Sequence, residues 1–403
     1  MIPVEDDEVS PPAAFEDLDP DEQHFHEATG NEGASFERTY RRAALVLWPH
    51  ERLFAVINQG GVEVTLPWLA DLTKRWAASG EDNDSPLWRE ARELSGHMVA
   101  TWPMRDWQPR ADNDPTSTGQ MLGLLCRLRD LMRLESLLVI IAMRGGFDLG
   151  DSEAIADALR LLPPEIAATL MERIVRGTVD RTLAACGALL AQVATLDRAV
   201  VIGAARALVS TLPSSPARDA WARGPGVQPR FIVDLFVALA RIDPVLADRA
   251  ADHVLNRSAT YGFDKILVPA VRDLLKTAET GRAAAIERLR QACVTHLEDR
   301  VALPVEAPRD WGRASVVGCE CAHCKELSRF LADPANERWV LRANEGERRH
   351  VEMTIRGAHC DVGVRTERSG RPYSLICTKN QASYERRRKQ RGRDLADLKR
   401  LRL

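Results

Sequence analysis

The chain has 403 residues, 45% of them apolar, enough for at least one large core in two or three domains, which excludes disorder of the whole chain. The net charge of −3 averages three unlike regions: residues 1–37 hold 12 carboxylates and no Lys or Arg, residues 38–308 hold 33 groups of each sign, and residues 309–403 hold 22 basic and 13 acidic groups. No apolar run approaches the roughly 18–20 residues of a membrane span, and the acidic start lacks the basic, then apolar, pattern of a signal peptide, so the expected compartment is the cytoplasm.

Residues 1–37, with Pro3, Pro11, Pro12 and Pro20 among the acids, have little to bury and read as a largely disordered leader. A short strand pair is expected within residues 38–64. Its first member covers residues 43–48 and stops at Pro49, and its second covers residues 53–57 ahead of Gly60 and Gly61.

Residues 65–303 read as helix after helix. Ser85 before Pro86, Asp151 before Ser152, and Pro163 and Pro164 before Glu165 are helix starts, because a capping side chain or a proline at the first position satisfies or removes orphan backbone donors. Leu122, Leu125, Leu128, Met132 and residues 134–138 are spaced for the buried side of one long helix, and Ile166, Leu170 and Ile174 continue the three-to-four spacing. Breaks are expected at Gly145 and Gly146, Gly177, Pro213, Pro225 and Pro244. The fold class is therefore mainly α, with a middle made of HEAT-like or tetratricopeptide-like hairpins or an irregular bundle.

Residues 309–403 form a small basic α+β module. Residues 324–332 read as helix, 338–341 as an extended segment and 345–356 as a charged helix. A hairpin turns around Ser369 and Gly370, and a final basic helix places Leu395, Leu398 and Leu401 on one side.

Five of the eight cysteines lie in this module. Cys319, Cys321 and Cys324 put three thiols on one turn directly before a helix, where thiolates can converge on a soft or borderline cation. Structural zinc is the expected occupant, and a module this small needs such a staple. The fourth ligand comes from His350, His359, Cys360 or Cys377, with Cys360 and His350 favoured because a strand and a helix would hold them; His323 is expected to point away. The competing readings are free thiols packed as small apolar groups and a redox pair.

His359 and Asp361 have the His-x-Asp spacing of a non-haem iron site, but no histidine follows residue 359, so that triad cannot be completed. Arg386, Arg387, Arg388, Lys389, Arg391 and Arg393 form a basic patch able to contact phosphates, although a solvated helix face or a partner for the acidic leader is the preferred reading. His97, His253 and His296 are expected to be surface or satisfied core residues. The phosphate-loop, dinucleotide, serine-hydrolase and metalloprotease motifs are absent.

Two stretches taken together resemble a known family. The first joins Thr29, Gly33 and residues 40–49. The second joins Cys319, Cys321, Cys324, Leu327, Phe330, Leu331, Arg349, His350, Thr366, Gly370, Pro372, Leu375, Thr378 and Lys379. They resemble the accessory region that follows the prolyl-hydroxylase-like catalytic domain in large 2-oxoglutarate/Fe(II) oxygenases. The resemblance starts near residue 22 and does not include a complete iron triad. His24 and His26, with Arg38 or Arg42 beyond them, would be relics of the family's distal strand.

The expected function is that of a non-catalytic binding or scaffold protein with a structural zinc site and a protein partner on the helical domain. The alternative is part of a 2-oxoglutarate/Fe(II)-dependent hydroxylase whose catalytic domain lies elsewhere; iron and 2-oxoglutarate would enter only then. A weaker alternative is nucleic-acid binding by the basic module.

Overall fold

Local chemistry starts most of the helices. In the computed structural model, which describes residues 61–80, 82–103, 115–215, 226–276 and 283–402, Ser85 accepts a hydrogen bond from Trp88 N at the head of a helix whose first residue is Pro86. The acidic leader and the strand pair expected at residues 43–48 and 53–57 lie outside the described residues, and Val62 to Val64, at the end of that stretch, belong to the first described helix.

The helices up to Leu212 are α1 (Val62–Ser79), α2 (Pro86–Ala100), α3 (Ser117–Leu128), α4 (Leu131–Arg144), α5 (Ser152–Leu161), α6 (Pro164–Thr178), α7 (Leu183–Val193) and α8 (Arg198–Ser210). Odd-numbered helices pack successively on one another, α1 on α3, α3 on α5 and α5 on α7. Even-numbered helices do the same from α2 to α8, so this unit is a two-layer stack of helical hairpins. Its buried seam includes Leu69, Leu94, Leu122, Leu125, Leu137, Ile155, Ile174, Leu190 and Leu208.

One expectation is corrected here. The long helix expected through Leu122 and Leu138 is two helices, because Arg129 adopts a left-handed conformation (φ 52°) and Asp130 caps a fresh start, accepting from Arg133 N. The break reverses the chain, and it turns Met132 outward at 67% exposure. Both segments bury leucines at the same spacing, so periodicity alone could not reveal the turn.

Gly145, with φ 66°, ends α4 as expected. Gly177 does not break the chain: it sits in the last turn of α6, where a Cβ would lie 3.1 Å from the Ala142 carbonyl oxygen. Close approach of two backbones, rather than helix termination, accounts for that glycine.

Two compact units divide the chain. The first contains the hairpin stack and Arg241–Leu246; the second contains Val227–Ala240 and the chain from Ala247. The remaining helices of the tract are α9 (Pro229–Ile242), α10 (Pro244–Leu255), α11 (Val268–Leu274), which follows one π turn, and α12 (Ala284–Ala302). The end of α9 and the start of α10 fall in the first unit, and the second continues through α13 (Ala322–Ala332), β1 (Arg338–Arg342), α14 (Glu345–Gly357), β2 (Val362–Glu367), β3 (Ser374–Lys379) and α15 (Ala382–Leu401).

The strands form an antiparallel sheet in the order β1-β3-β2. The β2–β3 hairpin turns at Gly370, with φ 79°, and the extended segment at 338–342 joins β3 as a third strand. One sheet face and the two helices α13 and α14 share a core of Leu327, Phe330, Leu341, Val351, Ile355 and Leu375.

α15 packs on α11 and α12. Leu398 and Leu401 are buried as expected, but Leu395 is 49% exposed, and Asp394 takes the inner position beside it. A carboxylate is tolerated there because Arg300 donates to both its oxygens, at 2.8 and 2.6 Å. No helix among the described residues is long and apolar enough to cross a membrane.

Candidate metal centre

The cysteine turn is shaped by what flanks it. Val317 packs on the module core, which fixes the approach to Cys319. Cys321 is the N-cap of α13, with φ −63° and ψ 161°, and Lys325 N donates to its carbonyl at 2.9 Å. Cys324 opens the buried stripe of the helix that Leu327 and Leu331 continue, while Cys319 and Cys321 lie at its more exposed N-terminal end, where the aligned peptide dipoles favour negative charge.

The opposing wall is α14. Asn344 starts it with a capping box: its side chain accepts from Glu347 N at 3.0 Å, and the Glu347 carboxylate accepts from Asn344 N at 3.2 Å. Val351 and Ile355 enter the core one residue after His350 and Thr354 respectively, and that spacing puts His350 and Thr354 on one adjacent stripe of the helix. Asn344→Ala is expected to cost about 1 kcal/mol, read as a lower denaturant midpoint with an unchanged slope.

His350 Nε2 lies 3.4 Å from Cys319 Sγ, 3.5 Å from Cys321 Sγ and 3.4 Å from Cys324 Sγ. A ring nitrogen has one lone pair or one proton, so it cannot hydrogen-bond to three sulfurs at once. A four-coordinate ion with about 2.3 Å to sulfur and 2.0–2.1 Å to nitrogen has tetrahedral edges of about 3.5–3.6 Å between unlike ligands, close to these distances. All four ligand atoms lie within 4.8 Å of one another. The four side chains form a group that could hold a metal ion.

Their environments differ. Cys324 is buried and Cys321 exposed. The backbone N–H of Cys324, chiefly, holds the Cys321 thiol down to about 7, with hydrogen bonds from the neighbouring thiols and His350 adding to it. Burial pushes Cys324 up to about 12. Cys321 thus ionises before Cys324, whose thiolate would be favoured by the charge of a bound cation.

The structure separates the other candidate residues from this group. Cys360 lies half-buried against the module core with its thiol bonded to Ser315, and Cys377 is fully buried in that core, raised to about 12 by desolvation. His323 turns from the sulfurs, its Nε2 lying 3.7 Å from Glu347 Oε1. His359 is exposed with φ 50°. Asp361 accepts from Ser383 N at 2.7 Å and from its hydroxyl, anchoring the start of α15; neither residue joins a ligand group among the described residues.

Two further His-x-acid spacings occur, His350-Val351-Glu352, in which Glu352 pairs with Arg356, and His296-Leu297-Glu298, which is likewise structural: His296 stacks on Phe263 and approaches Asp264 at 3.3 Å, while Glu298 pairs with Arg402. His253 Nε2 lies 3.0 Å from the Pro213 carbonyl oxygen.

Within the basic patch, Arg391 caps the end of α12 through the Val301 and Leu303 carbonyls, and Arg386 lies 3.7 Å from Asp361. Arg387, Arg388, Lys389 and Arg393 are exposed on α15.

No protein-family model, curated protein or solved structure matches the chain.

Proposed function

We propose that this chain is a non-catalytic binding protein whose cysteine-rich module is held by one structural zinc ion on Cys319, Cys321, Cys324 and His350. The observation that carries this reading is the arrangement of three sulfurs at 3.4–3.5 Å around one imidazole nitrogen. Soft thiolates with one imidazole suit zinc, and four protein ligands fill a tetrahedral shell with no position left for a reacting water or substrate.

The ion ties the N-terminus of α13 to the face of α14. The layered hairpins of the first unit supply the kind of extended surface that stacked helical repeats offer to protein partners. Metal analysis of the purified full chain tests the zinc reading. About one zinc per chain is expected, and a chain prepared with zinc present but carrying no metal would overturn it. Formation of succinate from 2-oxoglutarate and Fe(II) by the chain alone would overturn the non-catalytic reading.

A further inference from the structure

The outer face of the three-stranded sheet takes no part in the metal group. Trp339 and Leu341 of β1, Leu375 and Cys377 of β3, and Val362 and Val364 of β2 all turn toward the helices. Alternation along each strand therefore sends the intervening residues to the other side. The register aligns them in three rows: Arg338, Thr378 and Gly363; Val340, Ile376 and Arg365; Arg342, Ser374 and Glu367.

Ser374 and Ile376 on the central strand are buried, whereas Arg338, Arg342 and Arg365 on the two flanking strands are exposed, and none of the three makes an ion pair or hydrogen bond with another described side chain. Glu367 is the one carboxylate among the nine positions. The turn that continues this edge adds exposed Arg368 and Arg371.

Strands about 4.8 Å apart and same-face residues about 7 Å apart root the three arginines within roughly 15 Å, a span that long guanidinium side chains bridge to neighbouring phosphates on one side of a duplex. No aromatic residue occupies the nine positions, so the face lacks the stacking platform that unpaired bases require. It also lacks the Asn and Gln side chains that commonly read base edges.

We propose that the outer face of this sheet binds the phosphate backbone of duplex nucleic acid, without reading its sequence, through Arg338, Arg342 and Arg365. The inference goes beyond the zinc reading and uses the fold of the module rather than the identity of its ion.

The test is fluorescence anisotropy of the full chain with labelled random-sequence duplex DNA and duplex RNA, across salt from about 50 to 200 mM, with zinc content measured on the same samples. The expected result is binding whose logarithm falls linearly with log salt on at least one duplex. The variant carrying Arg338→Gln, Arg342→Gln and Arg365→Gln should bind at least about tenfold more weakly, with the slope reduced by about 2–3.

Lysine at the same three positions should retain most of the binding, which separates loss of charge from loss of fold. Arg387→Gln, Arg388→Gln and Lys389→Gln together remove the same charge from α15 and should leave the slope nearly unchanged. Equal losses in the two glutamine variants would reduce the effect to net charge and overturn the assignment. So would no duplex binding at low salt, or preference for single strands. Capture of a peptide of residues 1–37 in place of duplex would also overturn it, in favour of an acidic peptide ligand. Duplex binding by a zinc-free chain would leave this inference standing and remove the zinc reading, whereas zinc without duplex binding would do the reverse.

Discussion

Cys321→Ser is expected to lower zinc from about one ion per chain to a small fraction and to unfold the cysteine-rich module well before the hairpin stack. Cys321 is exposed, and an isolated exposed thiol changed to a hydroxyl shifts stability by no more than about 0.5 kcal/mol. A ligand at the same position has a far larger effect, because structural zinc contributes on the order of 10 kcal/mol to the folding of small modules. The size of the loss therefore distinguishes a metal-stapled turn from packed thiols.

Two transitions followed by circular dichroism, with metal content measured in parallel, provide the readout. Chelation of the wild-type chain should reproduce the loss of the same transition. Cys360→Ser, at a thiol outside the group, should leave zinc content near one. Retention of full zinc by Cys321→Ser would exclude it as a ligand.

Asp130→Ala should destabilise the hairpin stack by about 3 kcal/mol, seen as a lower midpoint of its unfolding transition. The Asp130 side chain is fully buried and starts α4. Arg92 Nε donates to it at 3.0 Å, and Arg133 pairs with it as well. Alanine removes the cap and leaves two guanidiniums without their acceptor. Both arginines remain partly exposed, at 35% and 22%, so water recovers part of their solvation and the expected cost sits at the lower end for broken buried pairs.

Burial pushes the Asp130 carboxyl up, but the hydrogen bonds and charges of Arg92 and Arg133 outweigh it and hold the group below its ordinary value. A depressed folded value means that the stabilisation is complete above the unfolded value, near 3.9, and is lost as pH falls through the folded one. Asp130→Asn should accordingly lose less stability than the wild type as pH falls below about 4, by the share that Asp130 contributes. A pH profile of the midpoint identical in the two proteins would remove the ion pair from the account.

Sequence and structure agree best where a few adjacent residues set the outcome. The starts of α2 and α6 follow from Pro86 and Pro164, since proline lacks the donor that a first turn leaves unpaired. The β2–β3 hairpin follows from the turn at Gly370. Agreement fails at residues 129–130, where the buried leucines keep their helical spacing on both sides of a chain reversal. It fails again at Leu395 and Asp394, because the partner that admits a carboxylate to the inner face, Arg300, lies 94 residues away.

The candidate centre divides the same way. Three thiols within six residues determined by themselves that a metal-binding turn is the leading reading, because chain connectivity alone keeps them within reach of one ion. Cys360 and His350 were equivalent in sequence terms. Only the tertiary structure decided between them: packing of Val351 and Ile355 into the core turns the His350 stripe of α14 toward the cysteine turn, while Cys360 is held apart, against the core and Ser315. The outer arginine face was likewise beyond sequence alone, because it depends on β1 pairing with β3 in a register that joins positions as distant as Arg338 and Thr378. Composition and local spacing determined the helical character, the basic end and the thiol turn; the directions that side chains take across long loops come from packing, which no local pattern encodes.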